Sequence, residues 1–432
     1  MNAEVRVLLL FCVILLVSLL LGLPLVGALL AGLALFLAYG RRQGLGWRQL
    51  AGMAASGVWQ ARKILLIFFL IGTLSALWRC SGTIATLVCY CGTLVRPSIF
   101  LMAAFVLNSL VSYLTGTSFG TSATMGVICM TMGTALGVPA AATGGAILSG
   151  AFFGDRCSPV SSSALLVADI TKTDIYRNVR LMMRTAAVPL ALTCVIYLAM
   201  GLLMPHEGEL PDLQGMFGAA FTIHLVTLLP AAAIVVLSVL HVDVRIALTA
   251  GIVTALPVCV VLQHAALSEL LAYVIHGYAA ADTGVGAILD GGGVLSMIRV
   301  ASIVCISSAY SGIFRHTKIL DGVRRGIEAT ARRTSPFMAA MLTSIAAACI
   351  SCNQSLSIML TNQLCEQCQP DKEQRAIDIE NTAVVIAPLI PWSIAGSVPL
   401  AAVGAPQISL LAAVYLYLIP LWNLAANRRR CK

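Results

Sequence analysis

Long apolar stretches recur along almost the whole chain, and that feature narrows the fold more than any other. Mostly uncharged runs follow one another at 5–20, 23–39, 63–79, 98–114, 185–204 and 244–262. A hydrocarbon core of ~30 Å needs about 20 such residues for each helical crossing. Of 432 residues, 59% are hydrophobic and only 10% are charged, whereas soluble domains carry charge at about a quarter of their positions. No ordinary core hides that much apolar surface, so the bilayer is the solvent for most of this chain. The runs are continuous and lack period-two alternation, which excludes a β-barrel. The expected fold is an all-α polytopic membrane protein with about 10–13 transmembrane segments, some of them re-entrant. Further spans are expected at 83–95, 121–137, 140–154, 215–239, 264–281, 296–314, 335–350, 379–396 and 403–425.

Arg6 before an apolar run resembles the start of a signal peptide, but a second apolar run follows at once. A retained first helix, turned into the next by Gly22 and Pro24, is the expectation. The net charge of +9 does not indicate nucleic-acid binding, because the basic residues sit at the ends of spans. They cluster at Arg41, Arg42 and Arg48, at Arg62 and Lys63, between Arg315 and Arg333, and at Arg428–Lys432. The positive-inside rule places these clusters and the C-terminus in the cytoplasm. The segment 205–215 holds Glu207, Glu209 and Asp212 without Lys or Arg, and is expected outside.

Most of the 14 cysteines lie in apolar runs, where Cys behaves as a small hydrophobe. Cys349/Cys352 and Cys365/Cys368 lack the further ligands that a zinc site needs. His224, His264 and His276 sit in apolar surroundings, where a backbone partner is commoner than a proton relay. No nucleotide-binding loop occurs, and Ser162 and Ser163 have no His–acid pair. The chain is therefore read as a non-enzyme without cofactors, driven by an ion gradient or passive.

Segment 205–215 separates a first half, 1–204, from a second, 216–432, and each half shows the same order of interruptions. In the first, Thr115–Ser122 interrupts an apolar run, and Gly154–Ser163, carrying Pro159, follows about forty residues later. In the second, Ser351–Ser357 is followed at similar spacing by Glu380–Thr382 and Ala387–Ser393. Paired interrupted segments in two halves point to a transport site between broken helices or re-entrant hairpins. An odd number of crossings per half makes the two repeats inverted. Backbone freed from helical pairing is tolerated at membrane depth only where protein or a wet cavity satisfies it. Hydroxyls, amide oxygens and unwound carbonyls suit dehydrated Na⁺, while helix N-termini favour anions.

Ionisable groups at membrane depth are costly and usually functional. Asp155, inside the first Pro-bearing break, is the leading carboxylate, with Arg156 beside it as a potential neutraliser. Glu380 stands at the second. Asp169 and Asp174 lie among Lys172, Arg177 and Arg180 and read as a wetted loop. Asp282 and Asp290 flank a glycine-rich stretch that either re-enters or is solvated.

The stretch Thr115–Thr121 with Gly150–Ser161 resembles the NhaC-type Na⁺/H⁺ antiporters of the ion transporter superfamily. Gly291–Met297, Asn353–Ile358 and Ala387–Ser393 extend the resemblance over roughly residues 100–410, in order. It implies two inverted repeats, a scaffold and a moving part, an ion site where broken helices meet, and a prokaryotic inner membrane. Relatives of this type also exchange small carboxylates or amino acids. Three carboxylates typical of such proteins are replaced here. Ser162 stands in a Ser-Asp-Thr-Thr-Asn motif, Asn353 in Ser-Asp-Gln, and Asn381 in Glu-Asp-Ser.

The leading expectation is a secondary transporter exchanging Na⁺ for H⁺ by alternating access, with Asp155 as the Na⁺ ligand. Candidate ion or substrate residues are Thr117, Ser118, Asp155, Ser158, Ser161, Ser162, Asn353, Gln354, Ser355, Glu380 and Asn381. The alternative is Na⁺- or H⁺-coupled transport of a small carboxylate or amino acid. Expected partners are the lipid bilayer, Na⁺, H⁺, a small organic solute under the alternative, and a second copy of the chain in a homodimer, with no nucleic acid.

Overall fold

The computed structural model describes residues 3–21, 23–92, 96–204, 213–240, 242–282, 285–286, 289–314, 335–366 and 368–430. The acidic residues of the 205–215 segment and the basic run 315–333 lie outside them. Among the described residues the fold is helical, and its one β contact is an isolated bridge between Tyr278 and Gly291.

The first half begins with α1 (Ala3–Leu20) and α2 (Leu25–Arg42), then α3 (Trp47–Gln60) and α4 (Arg62–Cys80). Next come α5 (Thr83–Gly92) and α6 (Pro97–Thr115), with Pro97 at the start of α6, where a missing N–H costs nothing. A broken rod follows: α7 (Ser118–Thr121), a π-helical turn at Ser122–Gly126, and α8 (Val127–Ala135). Then come α9 (Ala140–Cys157), α10 (Ser162–Thr171) and α11 (Ile175–Leu203). The second half holds α12 (Leu213–Ala220), α13 (Leu229–Val239), α14 (Val244–Val261), α15 (Leu267–His276), α16 (Ile298–Phe314) and α17 (Pro336–Ser351). It ends with α18 (Gln354–Cys365), α19 (Lys372–Glu380), α20 (Ala383–Ile386), α21 (Ile394–Ala402) and α22 (Val414–Arg430).

Among the described residues, five helices are long and apolar enough to cross a bilayer: α2, α4, α6, α11 and α14. The segment 372–402 passes the same test only as a pair bent by 59°. Several expected single spans are instead broken, each for a visible reason. The run 215–239 opens at Thr222, whose backbone N–H and C=O both bond the Gln263 side chain (3.1 and 3.3 Å). The run 379–396 contains Pro388 and Pro391, which cannot donate to a helical ladder. The run 264–281 forms only α15, and 403–425 opens with a 3₁₀ turn at Gln407–Ala412 before α22. Conversely, α11 starts ten residues before the expected span at 185 and includes Arg177, Arg180 and Arg184. Helices α3, α10 and α18 have no counterpart among the expected spans.

Packing crosses the sequence midpoint. Phe11 of α1, Phe36 of α2 and Tyr310 of α16 form a buried aromatic trio with ring centroids 4.8–5.3 Å apart. The Tyr310 hydroxyl donates to the Leu29 carbonyl. Helix α3 lies against α16 at backbone contact: a Cβ at Gly57 would fall 2.0 Å from Ser308 O, and one at Gly312 2.1 Å from Met53 O. In lipid, such small-residue seams replace the hydrophobic effect as the source of helix association.

The same device positions the site. Gly150 and Gly154, four residues apart on α9, press on α6, and a Cβ at Gly154 would lie 2.2 Å from Tyr113 N. The Ser112 hydroxyl adds a bond across this seam to Ala151 O. Asp155, the next residue, is thereby fixed beside the end of α6.

Candidate functional site

Four interruptions build the site, and they come as two backbone designs, each used twice. Helix α6 ends at Gly116 in the left-handed region (φ 66°, ψ 26°), and Thr117 follows extended (φ −146°, ψ 120°). Helix α17 ends at Cys352 (φ 54°, ψ 12°), and Asn353 follows (φ −146°, ψ 132°). In both, the extended residue caps the next helix. Thr117 Oγ1 accepts from Gly120 N–H (3.3 Å), and Asn353 Oδ1 accepts from Ser355 and Leu356 N–H (2.9 and 3.4 Å).

The second design is an X-Pro-X-Ser turn. Ser158-Pro159-Val160-Ser161 leads into α10, and Ile390-Pro391-Trp392-Ser393 leads into α21. The capping serines share a conformation, φ −69°, ψ 136° at Ser161 and φ −77°, ψ 137° at Ser393. Each donates its N–H to the residue three back (3.2 and 2.9 Å), and each accepts from the N–H two ahead (3.2 and 3.3 Å).

The breaks meet in pairs. Gly116 faces Val160 and Ser161 so closely that a Cβ would lie 2.8 Å from Ser161 N, which only glycine tolerates. In the second half, Ile394 N–H donates to Cys352 O at 2.9 Å. Together they enclose a cavity of about 130 Å³ that takes lining from all four: Thr117, Ser118 and Phe119; Asp155 and Ser162; Asn353, Gln354 and Ser355; Ile394 and Ala395. Ile64 of α4 closes one side.

Asp155 is the one ionisable side chain among the described residues of that lining, and it is 3% exposed. Ser161 Oγ donates to its Oδ1 (2.8 Å), and Ser163 Oγ donates to its backbone oxygen (3.2 Å). The N-terminus of α10 lies beside it and favours negative charge there. Arg156 does not neutralise it. Its guanidinium turns away, donating to Glu380 O (3.2 Å), Met182 O (3.3 Å), Thr185 Oγ1 (2.8 Å), Tyr415 OH (3.4 Å) and Asn381 Oδ1. It thus ties α9 to α11, α22 and the break after α19.

Seven expected site residues line the cavity: Thr117, Ser118, Asp155, Ser162, Asn353, Gln354 and Ser355. Ser161 stands behind them on Asp155. Ser158 is buried inside its own turn, where its hydroxyl accepts from Val160 N–H (3.4 Å). Asn381 is taken by Arg156. Glu380 is fully buried off the cavity lining, and neither of its carboxylate oxygens has a hydrogen-bond partner. The cross-linking role of Arg156 and the α9 seam went unread in the sequence, although Gly150-x-x-x-Gly154 in an apolar run is a recognisable signal.

Other candidates settle elsewhere. Asp169, on α10, pairs with Lys172 at 3.0 Å, largely exposed, and Asp174 caps α11, so the stretch expected as a wetted loop is exposed but mostly helical, with only a short link between the two helices. His224 Nδ1 accepts from Val226 N–H (3.1 Å). No cluster of three or more His, Cys, Asp or Glu able to hold a metal occurs among the described residues.

Comparison with known proteins agrees with this architecture. The model of the Na⁺/H⁺ antiporter family matches residues 7–201 and 150–424. The Na⁺/H⁺ antiporter NhaC of Alkalihalophilus pseudofirmus is 28% identical over 399 residues, covering 89% of this chain and 86% of its own. The malate-2H⁺/Na⁺-lactate antiporter of Bacillus subtilis is 25% identical over 92% of this chain and 87% of its own. A second NhaC, also from Bacillus subtilis, is 27% identical over 88% of this chain and 87% of its own. With the match running nearly end to end through all four breaks, the chain belongs to the Na⁺/H⁺ antiporter family.

Proposed function

We propose that this multi-pass membrane protein exchanges Na⁺ for H⁺ at the 130 Å³ cavity, with Asp155 as the group that holds one or the other. The observation that carries the proposal is the convergence of four helix breaks on one buried carboxylate. The cavity has room for a few waters, a fit for a partly dehydrated cation. Oxygens of Thr117, Ser118, Ser162, Asn353, Gln354 and Ser355 supply hard neutral ligands of the kind Na⁺ prefers. Ser161 holds Asp155 in place when the carboxylate is charged. Electroneutral alternation follows if the site changes sides only with Asp155 neutralised, by a cation or by a proton.

The matched backbone of the two halves supports an inverted-repeat carrier working by alternating access. The positive-inside rule, applied to the basic residues at 41–63 next to Ile64, supports a cavity lying toward the cytoplasmic side of an inner-type membrane. Exchange of an organic solute, the activity named for the malate–lactate relative, is disfavoured at this cavity. It is small, and its lining has no cationic side chain to receive a carboxylate.

The test uses proteoliposomes containing a pH-sensitive dye, pulsed with Na⁺, Li⁺ or K⁺. Cation-driven proton release in the wild type, lost in Asp155→Asn, is the expected result. No proton movement with any of the three cations, from protein shown to be folded and inserted, sinks the proposal.

A further inference from the structure

Asp155 is one of three ionisable side chains buried where α9 ends against α19; the others are Arg156 and Glu380, both without exposure. The cavity chemistry above uses only Asp155. Glu380 lies off the cavity lining, and neither of its carboxyl oxygens has a hydrogen-bond partner. A buried carboxylate in that state is costly, because nothing replaces the water it has lost. The neutral acid avoids most of that cost.

Arg156 does not supply the missing bonds. Its Nε donates to the backbone oxygen of Glu380 (3.2 Å), and its other donors go to Met182 O, Thr185 Oγ1, Tyr415 OH, Cys157 Sγ and Asn381 Oδ1. These acceptors are neutral, so the guanidinium holds its charge without an ion pair. The charges that act on the Glu380 carboxyl are those of Arg156 and Asp155. The other elements packed on α19 keep their charges occupied or outside. On α10, Asp169 is paired with Lys172 at the exposed end; on α11, Arg177 pairs with Glu373 (2.8 Å), and Arg180 and Arg184 are exposed. Helices α17 and α18 offer only the thiols of Cys349 and Cys365, and α20 has no ionisable group. On α19 itself, Asp378 is held by the amides of Gln374 (2.7 Å) and Gln369 (3.4 Å), and Arg375 by Asn362 (3.0 Å) and Gln369 O (3.0 Å).

The balance of the three charges then depends on the cavity. While it is empty, an ionised Asp155 offsets Arg156, and Glu380 gains little by ionising. A cation on Asp155 leaves Arg156 in excess, and in a low-dielectric interior the group that can answer is Glu380. From a carboxyl without partners beside a guanidinium without a counter-ion, we propose that Glu380 is a second proton-binding site, outside the cation cavity, whose proton leaves when Na⁺ enters. This rests on the Na⁺ reading of the cavity. For each Na⁺ bound, the Glu380 O–H bond breaks, its electron pair stays on the carboxylate beside Arg156, and the proton passes to water. Exchange then continues at pH values where Asp155 alone no longer holds a proton.

The experiment titrates full-length protein in lipid nanodiscs with NaCl against N-methylglucamine chloride, in weak buffer. Calorimetry reads bound Na⁺, and a pH dye reads released protons. In the wild type, release per Na⁺ is expected to fall in two steps as the starting pH is raised, the behaviour of two interacting carboxyls. Across the upper step half-saturating Na⁺ falls by up to about tenfold per pH unit, the linkage of one proton to one cation. Glu380→Gln, which keeps the shape of the neutral acid, is expected to bind Na⁺, to lose the upper step and to show a flat Na⁺ affinity there. Na⁺ binding with both steps intact in Glu380→Gln overturns the inference and leaves the cavity reading standing. No Na⁺ binding to the wild type overturns both. Should Glu380→Gln fail to fold, the wild type decides: release in a single step overturns the inference.

Discussion

Replacing Gly116 by alanine tests whether contact between the first two breaks sets the ion site. Two costs arise. The left-handed backbone at φ 66° costs a residue with a Cβ about 1–2 kcal/mol. The new methyl also meets Val160 Cγ2 at 2.7 Å and Ser161 N at 2.8 Å, so the breaks must part by about 0.7 Å to regain ~3.5 Å contacts. Such overpacking adds about 1–3 kcal/mol. Gly137 is the control, because it shares the backbone (φ 70°) but has nothing within 4 Å of a Cβ. Gly137→Ala therefore carries only the backbone cost. Parting the breaks pulls Thr117 and Ser118 away from Asp155 and Ser162. If about 1.4 kcal/mol of that cost falls on the cation-bound state, half-saturating Na⁺ rises about tenfold. Dye-loaded proteoliposomes read that shift, and thermal unfolding in nanodiscs reads total stability. Equal Na⁺ dependence in the Gly116→Ala and Gly137→Ala proteins would refute the reasoning.

Three further outcomes follow from the geometry. Arg156→Met removes the guanidinium bonds to Glu380 O, Met182 O, Thr185 and Asn381 and leaves the Glu380 carboxylate buried beside no cation. A loss of about 3–5 kcal/mol is expected, with Arg156→Lys intermediate; thermal unfolding unchanged in the methionine variant contradicts the bridging role. Asn353→Asp keeps the α18 cap while placing a second carboxylate in the cavity, so half-saturating Na⁺ measured at alkaline pH should fall, and an increase argues against that placement. Asp243 caps α14 and is held at a pKa of about 2 by hydrogen bonds from Arg245. A depressed carboxylate stabilises the fold above its unfolded value of ~3.9 and loses that contribution as pH falls from about 4 to 2. Asp243→Ala should lower the melting temperature at pH 7 by the ~1 kcal/mol of a lost cap, and by less at pH 3; an equal deficit at both pH values contradicts the assignment.

The breaks were readable in the sequence because each places Pro, Gly or a string of hydroxyls inside an apolar run, where nothing but a break accommodates them. Asp155 and Asn353 were readable for the same reason. The short helices α10 and α18 were not, since they follow directly on breaks and are too short to show a period. The expected span 379–396 has the prolines of the Ala387–Ser393 interruption inside it, and how far the chain bends there (59°) depends on packing that hydropathy does not express. Arg156 shows the deeper limit. Adjacent to Asp155 in sequence, it reads as the natural partner, yet its guanidinium points to Glu380 and Asn381, more than two hundred residues away. Partner choice at that range is decided by how α9 is rotated against α6, which Gly150 and Gly154 fix and which no local pattern expresses.

The aromatic trio that joins α1 and α2 to α16 has a consequence for how the chain is made. Ribosomes deliver Phe11 and Phe36 to the membrane long before Tyr310 exists, so the first hairpin inserts without the helix that fills its inner face. During that interval lipid or an insertion chaperone must occupy the groove, and the polar Leu29 carbonyl region waits for the Tyr310 hydroxyl. Docking of the N-terminal hairpin therefore waits for the synthesis of α16. Chains halted before α16 should expose this hairpin to quality-control proteases, while those halted just after it should protect the hairpin.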